Sequence, residues 1–196
     1  MGRIMTLRGE LDFQFGRSTG FGTGAEHELF SYTSIDRQRA WKVKFARVWV
    51  QELINQVGPD QRAVAQFTLA TDTLGIRNAD VTDIDTAKAW ENLMGAGDNR
   101  TIGWLTTDYL NRDNTTADFL MQSYRAPDML LDADRIVTNE LYLSCYGWHE
   151  ANSDIDTVIN YYIELEEMKI TPSESILQQL KGIGQDIGTQ DITIAP

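Results

Sequence analysis

The chain has 196 residues, of which 42% are hydrophobic and 10% aromatic, the composition of one folded domain rather than a disordered segment. Its net charge of −12 is unevenly spread: residues 1–62 hold nine basic and seven acidic side chains, residues 63–196 eight and 22. Most of the molecule therefore repels nucleic acid and anionic membrane, and only the first third can offer a basic face. No apolar run reaches the roughly 18 residues of a membrane span. The start, MGRIMTLRGELDF, lacks the apolar core of a secretion signal. Cys145 is the single cysteine, which excludes an intrachain disulfide and a cysteine-rich metal site and fits a reducing compartment. The sequons at Asn99 and Asn114 would matter only in a secreted protein.

From Ile4 to Phe15, Leu7, Leu11, Phe13 and Phe15 alternate with Arg8, Glu10, Asp12 and Gln14, which predicts a strand with one apolar face. GRSTGFGTG (residues 16–24) breaks it with four glycines in nine residues and reads as a surface or axis-lining loop. It lacks the Gly-Lys-Ser/Thr of a phosphate loop and the third glycine of a dinucleotide fingerprint. A second strand is expected over Glu26 to Ser34. A third runs over Ala40 to Leu53, with Trp41, Val43, Phe45 and Trp49 facing inward and Lys42, Lys44, Val48 and Val50 opposite. Val57-Gly58-Pro59-Asp60 is a turn, and a fourth strand follows over Gln61 to Ala70.

The middle predicts short helices over Thr86 to Met94 and Thr115 to Tyr124, a strand over Asn99 to Thr107 and a brief one over Met129 to Leu131. Alternation resumes from Arg135 to Tyr146, then an acidic hairpin loop, then DTVINYYIELEEMKI (residues 156–170). In that stretch the apolar parity switches after Glu166-Glu167, predicting a β-bulge there, and at about 50 Å its length exceeds a typical strand. It is expected to pair with Arg135 to Tyr146 throughout. Thr171-Pro172-Ser173-Glu174 is a capping box, and the helix it opens puts Ile176, Leu177 and Leu180 on one stripe. The reading is all-β: an eight-stranded jelly-roll sandwich over residues 1–170, with short helices in the central connections. A C-terminal helix and extended tail follow over 171–196.

No enzyme signature emerges. Cys145 lies on an apolar strand face and reads as a buried thiol; His149, in GWHE, reads as a surface loop histidine. Two histidines without His-x-His spacing do not make a cupin metal site, and adjacent Glu166 and Glu167 face opposite sides of a strand. Asp80, Asp83 and Asp85 are oxygen donors close in sequence, the best metal candidates, yet they lack the spacing of a calcium loop. Arg37, Arg39, Lys42, Lys44 and Arg47 fall within eleven residues and would form an outward basic stripe able to touch phosphates; pairing with acidic neighbours is the plainer reading. Their aromatic interleaving reads as core, because single-strand binders carry aromatics on the same face as the cations.

Length, strand count and helix placement, with RIVTNELYLSCYG, an acidic turn and DTVINYYIELEEMKI as paired final strands, resemble the single jelly-roll capsid proteins of small icosahedral viruses. The resemblance covers residues 4–170 and is architectural. It implies a structural virion protein, synthesised in host cytoplasm, that closes a shell with copies of itself. Loops would line symmetry axes, and Ile187, Ile192 and Ile194 would lie in an inter-subunit tail. No cofactor is expected, apart from calcium at subunit interfaces. Other virion proteins and the genome are candidate partners, although MGRIMTLRGE departs from the basic arm of many such capsids. The alternatives are a carbohydrate-binding β-sandwich using Trp90, Trp104 and Trp148, and a phage tail or baseplate subunit.

Overall fold

Alternation of apolar and polar side chains places a strand wherever one face can be buried, and the computed structural model shows eight among the described residues. They are β1 (Ile4–Phe15), β2 (Thr23–Ser31), β3 (Arg39–Gln51), β4 (Arg62–Ala70), β5 (Thr101–Leu110), β6 (Leu130–Leu131), β7 (Glu140–His149) and β8 (Ile155–Lys169). The structure describes residues 2–16, 23–32, 38–51, 62–74, 98–110, 128–150, 154–177 and 180. The helices expected at 86–94 and 115–124, and most of the glycine-rich loop, lie outside them.

Two antiparallel sheets form a β-sandwich, one in the order β1-β8-β3 and one in the order β2-β7-β4-β5-β6. The pairing is nested: β1 with β8, β2 with β7, and β4 with β5. Just before β6, Met129 N donates to Ala46 O of β3 at 2.9 Å, and Asp128 bridges Arg47. Residues 128–131 thus step from one sheet to the other. At the opposite seam Gly16 N donates to Gly147 O at 3.2 Å and His149 N to Gly16 O at 3.1 Å, tying the end of β1 to β7.

The core lies between the sheets. Phe13 and Phe15 of β1, Val48 of β3, Phe67 and Leu69 of β4, Leu141 and Leu143 of β7, and Ile159, Ile163 and Leu165 of β8 are all buried in it. Each such side chain contributes about 1.5–3 kcal/mol on leaving water. Phe13 and Phe15 meet edge to face at 5.4 Å. Gly147 allows this, since a Cβ there would lie 2.5 Å from Phe13 Cε1 and 2.7 Å from Phe15 Cδ1.

Four expectations are corrected. The long final strand does not pair with its predecessor: β8 lies between β1 and β3, while β7 lies between β2 and β4 in the other sheet. Both strands are alternating, and alternation specifies a buried face without specifying a neighbour. Nor is there a bulge at Glu166-Glu167, because β8 holds one register against β1 from Ile155 to Glu166. The bulge sits in β3, where the register against β8 shifts between Val43 and Phe45 and leaves Lys44 as the extra residue. It turns Ala46 and Val48 into the core and sends Phe45 and Trp49 to the outer face, the reverse of the sequence expectation. Finally, His149 is the last residue of β7 and is fully buried.

The capping box forms as expected. Glu174 N donates to Thr171 Oγ1 at 3.2 Å, and Thr171 N donates to Glu174 Oε2 at 2.7 Å, opening α1 (residues 172–177). The backbone bond from Thr171 holds the Glu174 carboxyl below its ordinary range. Its stripe of Ile176, Leu177 and Leu180 is half exposed rather than buried.

Candidate interaction surfaces

The basic residues of β3 lie on or beside the outer face of the three-stranded sheet, and acids of β8 face most of them. Arg39 NH1 reaches Glu167 Oε1 at 2.9 Å, and Lys44 Nζ reaches Glu166 Oε2 at 3.2 Å. Arg47 donates to Asp128 Oδ1 through Nε at 2.9 Å and NH2 at 2.6 Å. Lys42 stands opposite Glu166 in the ladder. With Gly2, Arg3, Arg39, Glu167, Met168 and Lys169 these residues line a shallow groove of about 490 Å³ at one end of the sheet. Arg37 lies outside the described residues. The pairing with acidic neighbours therefore holds for three of the five candidates, and such exposed pairs add little stability.

The bulge at Lys44 gives this face a character the alternation hid. Phe45 and Tyr162 contact edge to face at 6.1 Å, and the Arg47 guanidinium sits 5.4 Å from the Phe45 ring centre. Trp49 stands on the same side, opposite outward-facing Asn160. Aromatics and cations thus share one surface. The run Val43-Lys44-Phe45-Ala46-Arg47-Val48-Trp49-Val50 has apolar residues at both parities, so the sequence carried the ambiguity but not its resolution.

β1 is an edge strand: among the described residues its only ladder partner is β8. Arg3 O accepts from Glu167 N at 2.7 Å, and the antiparallel alternation then aims the backbone groups of Ile4, Thr6, Arg8, Glu10, Asp12 and Gln14 away from β8.

The outer face of the five-stranded sheet carries Trp104 opposite Thr68 and Trp148 opposite Val64, on either side of β4. Burial and neighbours raise the phenols beside them: Tyr142, hydrogen-bonded to Glu140 Oε2 at 2.8 Å, and Tyr146, buried, are both pushed up to about 12. Trp90 lies outside the described residues.

The described residues hold one cysteine and two histidines. Cys145 is fully buried and burial pushes its thiol up, so the thiolate is disfavoured. No group of three or more His, Cys, Asp or Glu side chains placed to hold a metal occurs among the described residues; Asp80, Asp83 and Asp85 lie outside them, as do Ile187, Ile192 and Ile194. His27 and His149 are both held below the ordinary histidine value by desolvation. For His149 a hydrogen bond with the Phe15 backbone and the charge of Asp154 work the other way and are weaker. No helix among the described residues is long and apolar enough to cross a membrane.

Sequence reasoning missed one polar knot. Arg100 NH2 donates to Asp98 Oδ2 at 2.7 Å and Arg100 NH1 to Thr73 O at 2.8 Å, while Thr71 N donates to Arg100 O at 2.9 Å. The knot fastens the segment after β4 to the start of β5.

No family model and no curated protein matches the chain. Among solved structures it is similar to viral capsid proteins. VP1 of Merkel cell polyomavirus, as an unassembled pentamer, aligns with a TM-score of 0.43 and 6% identity over 84% of this chain and 96% of that one. The same VP1 has been solved in complex with disialyllactose. VP1 of Trichodysplasia spinulosa-associated polyomavirus aligns at 0.40 and 9% identity over 86% of this chain and 100% of that one. A Desmodium yellow mottle tymovirus chain aligns at 0.33 and 12% over 87% and 90%.

Proposed function

We propose that this protein is a capsid subunit: an eight-stranded jelly roll, resident in the virion, that builds a closed shell from copies of itself. The observation that carries the reading is the nested pairing of first strand with last, second with seventh and fourth with fifth, with residues 128–129 against β3. This is one long hairpin rolled into a sandwich, the wrapping of a jelly roll. Its surface suits assembly. β1 offers an open edge to a neighbour's strand, and Ile176, Leu177 and Leu180 leave apolar surface beyond the last strand. The segment 171–196 then serves as an inter-subunit arm, with Ile187, Ile192 and Ile194 as its strand-like anchors. Calcium shared by loop carboxylates such as Asp80, Asp83 and Asp85 and genome contact through Arg37 to Arg47 are subsidiary parts of the same proposal.

Deleting residues 184–196 tests the arm. The truncated chain keeps the cooperative unfolding of the sandwich but loses most of its assembly on size exclusion; unchanged assembly rules the arm out. A second reading, a glycan-binding β-sandwich, is favoured by Trp104 and Trp148 on one outer face. A glycan array with Trp148→Ala as control separates the two.

A further inference from the structure

We infer that the outer face of the β1-β8-β3 sheet is a two-fold docking surface whose partner is the same face of a second copy of this chain. The inference rests on the self-assembly reading above and adds which surface meets which. Three features carry it.

The first is charge. In one half of the face, residues 4–8 of β1, 42–47 of β3 and 162–166 of β8, the outward side chains include four bases, Arg8, Lys42, Lys44 and Arg47, against two acids, Glu164 and Glu166. The other half, residues 9–16, 48–51 and 154–160, holds Glu10, Asp12, Asp154 and Asp156 and no base. The ladder registers put the Arg8–Tyr162–Arg47 row at the boundary. Rotating a second copy by half a turn about an axis in the plane of contact, through Tyr162 and tilted about 20° from that row so that the strands of the two copies cross as in packed sheets, lays each basic half over an acidic half. A two-fold contact requires this self-complementarity, since residue i meets j and j meets i. Lys42 of β3 in one copy then approaches Asp12 of β1 in the other.

The second is the centre. Phe45, Trp49 and Tyr162, with Arg47 against the Phe45 ring, supply the aromatic and arginine side chains that dominate binding energy at interface centres. Phe45, Arg47 and Trp49 stand outward only because of the bulge at Lys44. A bulge that turns a tryptophan and a phenylalanine toward water needs a reason that the core does not supply.

The third is area. Three strands of about 12 residues span roughly 40 by 15 Å, about 600 Å² per copy. A pair covers about 1,200 Å², the lower bound of a specific interface. The contact is sufficient for an assembling unit and weak enough to be reversible.

Sedimentation velocity of the full chain over a dilution series tests this with four proteins: wild type, Trp49→Ala, Lys42→Glu and Asp12→Lys. Each variant keeps the wild-type circular dichroism and weakens self-association about tenfold or more, because a like-charge contact or a lost anchor occurs twice per pair. Mixing Lys42→Glu with Asp12→Lys restores association, and so does placing both changes in one chain. Variants that associate as tightly as a self-associating wild type overturn the docking face alone. A wild type that stays monomeric throughout removes the assembly reading with it. Binding of a single-stranded oligonucleotide that needs Trp49, with self-association unchanged in the variant, overturns the proposal and gives the face to nucleic acid.

Discussion

Arg100 and Asp98 show how much one buried pair can decide. Their side chains are only 6% and 7% exposed, so each needs the other, and Arg100 also satisfies Thr73 O. Arg100→Ala would leave a buried carboxylate without its cation, which costs about 3–5 kcal/mol, read as a lower urea midpoint with an unchanged slope. Gly147→Ala acts through volume instead. Its Cβ would press on Phe13 and Phe15 from the opposite sheet, and overpacking of this kind costs about 1–3 kcal/mol. At this scale the sequence was legible where one residue answers one question: Cys145 reads as buried from its strand face, and it is. It was illegible where two ends of the chain meet. His149 reads as a loop residue until Gly16, far away in sequence, closes over it through backbone bonds.

The two histidines also set a pH dependence. Burial disfavours the charged form of both, so the folded chain binds fewer protons at these sites than the unfolded chain. Their contribution to stability is complete above about pH 6.5 and is lost as the pH falls below it. Urea midpoints should drop between pH 7.5 and pH 5, and His149→Gln should flatten that drop. Equal slopes with pH in the variant and the wild type would assign the acid sensitivity elsewhere.

Among the elements, β3 is the instructive one. A deletion of Lys44 removes the extra residue of the bulge and leaves Val43 opposite Leu165 and Phe45 opposite Glu164, as they already are. The variant should fold, with a loss of about 1–2 kcal/mol. Deleting Val48 instead shifts every later residue of β3 by one, turns Trp49 inward and Val50 outward, and should abolish cooperative unfolding. Equal damage from both deletions would contradict the bulge. The bounds of β1 and the capping box at Thr171 were legible because each follows from local pattern alone. The bulge was misplaced onto β8 because Met168 and Ile170 change parity there. The ladder shows that this stretch has no extra residue of its own as far as Lys169; the extra residue lies in its partner.

For the whole molecule, the sandwich class could be read from the chain, but strand neighbours could not. β7 and β8 follow one another and look like a hairpin, yet they belong to different sheets. What separates them is the rolling of the entire hairpin, a property of all eight strands at once. That same rolling leaves the outer β1-β8-β3 face, the open edge of β1 and the apolar stripe of α1 available at the surface, and the proposed shell assembly rests on these features. Negative-stain electron microscopy of the purified full chain tests this most directly. A shell subunit gives closed isometric particles of uniform diameter; a field of isolated monomers at high concentration, across salt and calcium conditions, would rule the shell out.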